Sequence, residues 1–282
     1  MSGGEQGQSR EAGTFGGPIL ADAHVHFYDC FDQTAFFDGA LANFQAAAAG
    51  LGISPDPAGC LLFTEAAGDH AFGRFHGEAG AGGEGPWSFH RTEEDCSLIA
   101  CRDGREKILL LAGRQIATAE DLEVLAIACG EEFADRQTLQ ATLDAVRRTD
   151  TVAVVPWGFG KWWFRRGAIL SRAMEDFDPA WIYLGDNAGR PGALPTPGLL
   201  QAGQARDLKV LPGTDPLPFA SEAAKAGAYG LVLDGALDRV RPAESFKSLL
   251  QAQSLQPRTY GRLERLGRFC RNQVLMQIRK RM

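Results

Sequence analysis

The sequence predicts an α/β protein, a distorted seven-fold βα barrel with one ligand site at its mouth. Three observations carry this expectation. Short apolar runs alternate with helical patterns along most of the chain, the rhythm of βα units around a mostly parallel sheet. Seven of those runs suit parallel strands, near residues 19, 60, 108, 152, 181, 208 and 229. The length of 282 residues is that of one α/β barrel of about 250 residues. An open doubly wound sheet is the competing arrangement.

In chain order, residues 1–17 are rich in Gly, Ser and Glu and lack an apolar signal core. They are expected to be a disordered leader before a single domain over 18–282. The first strand runs from Ile19 toward His26, and an Ala-rich helix with Phe36, Phe37 and Phe44 follows over 33–51. Residues 60–64 form the second strand, and the glycines over 77–85 mark a loop. Segments 87–94, 97–101 and 107–118 alternate in character and suit hairpins that extend the sheet. After the apolar run 122–129, helices over 136–149, 162–176, 197–206 and 219–226 separate the later strands. Helices over 242–252 and 258–281 close the chain.

Composition removes several function classes. The net charge of −6 argues against nucleic acid as the main partner. No apolar run approaches the ~20 residues that a membrane-spanning helix needs. The six cysteines, at 30, 60, 96, 101, 129 and 270, show no CxxC spacing. Reduced thiols in a cytoplasmic setting are expected.

The chemistry concentrates in Asp22-Ala-His24-Val-His26 at the end of the first strand. Side chains two apart on a strand share a face, so both imidazoles can converge on one metal ion. Two histidines that merely end a strand are the plain alternative. Residues 157–163, Trp-Gly-Phe-Gly-Lys161-Trp-Trp, join a strand to a helix, and Lys161 with the flexible glycines suits a bound anion. An aromatic plug is the rival reading. Asp186 and Arg190 follow the fifth strand and point to the same mouth, with Arg190 able to pair with Asp186 or with an anionic substrate. Turn chemistry explains that segment equally well.

In order and spacing, the chain resembles the PHP (polymerase and histidinol phosphatase) family and, more distantly, the amidohydrolases. Asp22-Ala-His24-Val-His26 matches the family's first motif. Leu61-Leu-Phe-Thr-Glu65 stands at its second strand end and Gly113-Arg114-Gln115 at its GxE. Val154-Val-Pro-Trp157 stands at the HP segment and Gly213-Thr-Asp215-Pro-Leu217 at GSDxH. The departures are as informative. All five histidines lie in the first 90 residues, so the family's late histidines are absent. Gln115 replaces the metal-binding glutamate.

The resemblance implies a metal-dependent hydrolase acting on a phosphoester or related anionic ester. His24, His26 and Asp215 would hold at most one divalent ion (Zn, Mn or Fe), with Glu65 or Asp186 as ligand or general base. Lys161, Arg114 and Arg190 would balance the substrate's charge. The alternative is an inactive PHP-like barrel whose mouth binds a ligand or partner protein. The final helix carries arginines at 262, 265, 268 and 271. They form a solvated face or a surface for an acidic partner.

Overall fold

The computed structural model describes residues 13–81 and 85–279. Three groups of elements follow one another. The first comprises β1 (Thr14–Phe15), β2 (Ile19–Val25), α1 (Gln33–Leu51), β3 (Gly59–Phe63), α2 (Ala71–Glu78) and the meander β4 (Trp87–Arg91), β5 (Ser97–Arg102), β6 (Arg105–Leu111). The second comprises β7 (Gly113–Ala117), β8 (Glu123–Ile127), α3 (Leu139–Arg147), β9 (Val152–Pro156), α4 (Phe164–Ala173), β10 (Ile182–Asn187), α5 (Gly198–Gln204) and β11 (Val210–Gly213). A 3-10 turn (Ala220–Lys225) then leads to β12 (Tyr229–Leu233), β13 (Leu237–Asp238), α6 (Pro242–Ala252), β14 (Arg258–Gly261) and α7 (Leu266–Arg279).

Each of the seven expected runs forms a strand, but the strands do not close into a TIM-like barrel. They build two separate mixed sheets and a ribbon. The seven-stranded sheet has the order β14-β12-β2-β3-β6-β5-β4, and the five-stranded sheet the order β11-β10-β9-β8-β7. β1 pairs with β13 in a two-stranded ribbon. Hairpins replace crossovers at two places. Asp103 and Gly104 take φ of 49° and 72° between the paired Arg102 and Arg105. Positive φ at both turn residues is the type I′ geometry that folds a strand straight back. β7 likewise returns antiparallel as β8, which pairs antiparallel with β9. β12 runs antiparallel to β2, where a barrel would need a parallel neighbour.

The chain changes sheet between β6 and β7. A Cβ at Gly113 would lie 2.5 Å from the Ala126 carbonyl and 2.6 Å from that of Phe63. Only glycine lets three backbones cross there. Glu65 N then donates to Gly113 O at 3.2 Å, and Gln115 N to Glu65 O at 2.9 Å. A second local junction lies at the far edge, where Asp215 N donates to His24 O at 2.8 Å.

Apolar burial makes the layers. One face of the first sheet packs on α1 and α2 through Phe36, Phe37, Phe44, Phe63 and Phe75. Burying each such ring contributes about 1.5–3 kcal/mol. The two sheets pack on one another through Leu62, Ile99 and Leu109 against Leu125, Val154 and Tyr183, with Phe246 and Leu250 of α6 in the same cluster. The outer face of the second sheet packs on α3, α4 and α5. Asp32 starts α1 by accepting from Ala35 N at 2.7 Å, and Gly52 at φ 67° ends it.

Boundaries differ from expectation in three places. Phe15 is fully buried, so the end of the expected leader belongs to the fold; residues 1–12 lie outside the described residues. Residues 258–261 form an edge strand rather than the start of the last helix. Gly261, at φ 85°, sits where a Cβ would meet the Ala228 carbonyl at 2.0 Å. The stretch 219–226 is 3-10 rather than α. The last helix docks through Phe269 and Asn272 and through the buried Glu222, which accepts from Arg268 at 2.8 Å and lies 3.3 Å from Lys225 Nζ.

A methyl group at Gly213 would lie 2.4 Å from His24 N. Gly213→Ala should therefore push the two sheets apart and lower stability by about 3 kcal/mol. Gly73→Ala, in open space on α2, should raise it by about 0.5–1 kcal/mol. Chemical denaturation of the two variants checks the contrast.

Burial alone would raise the Glu222 carboxyl, but Lys225 and Arg268 outweigh it and hold it below the ordinary carboxylate range. A depressed folded pKa contributes stability above the unfolded value, and that contribution is lost as the pH falls through and below about 4.3. Glu222→Gln should flatten this acid step, read from denaturation midpoints between neutral pH and pH ~3.

Candidate metal centre

The site begins with a bulge in β2. Asp22 pairs with Leu61 but Val25 with Phe63, so three steps on β2 match two on β3. As a result Leu20 and Val25, five residues apart, share one core cluster. Bulges of this kind re-aim side chains. His24 and His26 follow on one side of the strand, both buried.

The opposing carboxylate is placed by Gly213-Thr214-Asp215. Gly213 allows the close backbone approach to His24. Thr214 N and Oγ1 both donate to the buried Asp22 carboxylate, at 2.8 and 2.5 Å, and Gly227 N donates to it at 2.8 Å. Asp215 itself takes φ 43°, a left-handed conformation uncommon outside glycine and typical of over-determined functional positions.

His24 Nε2 lies 3.0 Å from His26 Nε2 and 3.6 Å from Asp215 Oδ1, and His26 Nε2 lies 3.5 Å from the same oxygen. Ligands at about 2.1 Å around one tetrahedral ion stand about 3.4 Å apart. The three atoms therefore fit one ion without rearrangement. Gln115 Oε1 is 3.2 Å from His24 Nε2, so the neutral amide faces the same point. Burial, reinforced by the adjacent His24, lowers His26 to about 4, leaving a neutral imidazole with a lone pair to give. Burial would raise Asp215, yet the histidines and Lys161 overcome it and hold the carboxyl below its usual range. The donor set is two imidazole nitrogens and one carboxylate, a set used by zinc and non-haem iron sites.

The triad opens into a cleft of about 800 Å3. Tyr28 stacks on His26 with ring centroids 5.5 Å apart. Trp157, Phe159 and Lys161, from the loop after β9, make one wall, while Phe269, Met276 and Ile278 of α7 make another. Lys161 is ion-paired with Glu123, and Lys225 also reaches the cleft.

The expected site residues divide into two groups. His24, His26 and Asp215 come together, with Gln115 and Lys161 beside them in the cleft. The other four are engaged elsewhere and do not line it. Glu65 accepts from Phe72 N at 2.7 Å, satisfying the N-terminus of α2, and lies 3.4 Å from Arg114. Arg114 also binds Glu132 and the Asp69 carbonyl. Asp186 takes both prongs of Arg190 at 2.8 and 2.9 Å and the Tyr229 hydroxyl at 2.9 Å. Sequence reasoning missed Tyr28, Glu123, Asn187 and Lys225. Asn187 donates to Asp215 Oδ2 from the end of β10, where a strand-end search would have found it. Nothing in the local sequence marks the other three.

No family model matches the chain, and no curated protein matches it. Among solved structures, PsfC from Pseudomonas syringae PB-5123 superposes with a TM-score of 0.52 at 14% identity, over 94% of this chain and 98% of PsfC. At that identity the likeness concerns the fold alone.

Proposed function

We propose that the protein is a mononuclear metal-dependent hydrolase of a phosphoester or related anionic ester, with His24, His26 and Asp215 as the ligands. The observation that carries this reading is the mutual spacing of the three ligand atoms, 3.0 to 3.6 Å, which suits one ion. A divalent ion there supplies Lewis acidity and lowers the pKa of water toward neutrality. Lys161 and Lys225 bring ammonium groups to the cleft, where they offset the charge of an anionic substrate. Gln115 orients polar groups near His24 without adding charge. Glu123 is the second carboxylate on the cleft wall, and its pairing with Lys161 couples it to substrate charge. Glu65 and Asp186 have no such role in this reading, since their oxygens are committed to Arg114, Arg190 and the α2 backbone.

That commitment favours one alternative, a non-catalytic cleft that binds an anionic ligand or partner protein. With one carboxylate among the ligands, a second ion would bring two positive charges with little to balance them, so at most one ion is proposed. None of the six cysteines is in a disulfide, and a reducing cytoplasmic setting is part of this proposal. No described helix is long and apolar enough to cross a membrane.

Titration calorimetry with zinc, manganese and iron(II) should give one site. His24→Ala should weaken it more than about 100-fold. Gln115→Glu should tighten it about tenfold or more, since a carboxylate replaces a neutral oxygen next to the ion. Stoichiometric metal together with hydrolysis of aryl phosphates or esters supports the hydrolase. Metal without turnover supports the binding reading. No metal bound under any of these conditions overturns the ligand assignment.

A further inference from the structure

Around the cleft mouth stands a collar of exposed apolar side chains. Phe164, the first residue of α4, is 92% exposed, Trp163 is 49% exposed and Phe159 43%. A chain of edge contacts ties them to the buried Phe269: Phe269 to Phe159 at 5.0 Å, Phe159 to Trp163 at 4.8 Å, Trp163 to Phe164 at 6.5 Å. Phe164 takes φ 52°, rare for a bulky residue, so the backbone holds the ring outward against its own preference. Val274 and Ile278 of α7, on the cleft rim with Phe159 and Phe269, continue the collar and are exposed. Contiguous exposed apolar surface of this kind marks a docking site.

The charge around it is one-sided. α4 and α7 together carry six arginines and neither contains an acid, in a chain whose net charge is −6. Arg165 and Arg271 are exposed.

We propose that this collar docks on an anionic lipid surface. Two features select a lipid surface over other acidic partners. The Trp163 and Phe164 rings stand outside the cleft that Phe159 and Phe269 line, and protrude as insertion into a headgroup layer requires. The collar also mixes aromatic rings with aliphatic side chains on a helix that bears arginines, the make-up of an interfacial amphipathic helix; nucleic acid bases would find nothing to stack on Val274 or Ile278. Each arginine near such a surface contributes about fivefold to partitioning, and the apolar side chains anchor what the charge attracts. Docked in this way, the cleft mouth faces the headgroups. The proposal does not depend on the hydrolase reading.

Flotation of the full chain with phosphatidylcholine vesicles, with and without phosphatidylserine, tests it. The protein should float only with the anionic vesicles, and less as salt is raised. Phe164→Ala and Trp163→Ala should each weaken flotation several-fold, and Arg165→Gln about fivefold. None of the three residues lines the cleft or supports the core, and circular dichroism checks their folding. No flotation with anionic vesicles, or flotation unchanged in all three variants, overturns the proposal. So does a concentration-dependent dimer that Phe164→Ala dissociates, since a second copy would then cover the collar.

Discussion

The fully buried carboxylate of Asp22 is the interaction on which the rest of the site depends. It accepts from Thr214 N, Thr214 Oγ1, Gly227 N and, more distantly at 3.3 Å, His24 N. Burial pushes its carboxyl up and these four donors pull it back, leaving it at about 6. Through this one group the strand that leads to both histidines is bound to the loop that carries Asp215 and to the turn before β12. Leaving such donors unpaired in a buried site costs about 1–3 kcal/mol each, so the clasp is stable only when all its parts are in place. The spacing of His24, His26 and Asp215 is therefore set away from those three side chains themselves.

The same economy explains why two of the expected acids are not at the cleft. A carboxylate buried without partners is strongly unfavourable, and each found the nearest cation or amide. Glu65 has Arg114 and the α2 terminus, and Asp186 has Arg190 in a bidentate pair with Tyr229 added. Asp215 differs because its neighbours are two imidazoles, Asn187 and Lys161, groups that leave an oxygen turned to the cleft.

Much of this was legible in the sequence. The apolar runs at 19, 60, 108, 152, 181, 208 and 229 gave strands in order, since a buried strand needs little beyond apolar side chains of the right length. His24 and His26 were legible because a two-residue spacing on a strand fixes a shared face, and Asp215 was expected through the resemblance of Gly213-Thr-Asp215 to the GSDxH pattern. What was not legible was the pairing of the strands. Closure into a barrel needs every neighbour parallel, and the Asp103-Gly104 turn and the β7–β8 return send the chain back antiparallel. The bulge in β2 is silent in Asp-Ala-His-Val-His, since it arises from register against β3. Lys225, Glu123 and Tyr28 reach the cleft by tertiary packing alone, and no local pattern reports that.

The antiparallel pairing of Ala21 with Leu231 has a consequence for how the molecule is made. During synthesis at about 5–20 residues per second, the partner of the first core strand emerges roughly 10–40 s after it. For that interval β2 can pair only with β3, and its other edge is open, as is the apolar surface of α1 that the 3-10 turn later covers. The histidines are thus among the first residues of the fold to be synthesised and among the last to be completed. Nascent chains are at greatest risk of mispairing at this edge, and the late arrival of the Thr214 and Gly227 backbone is what ends the exposure.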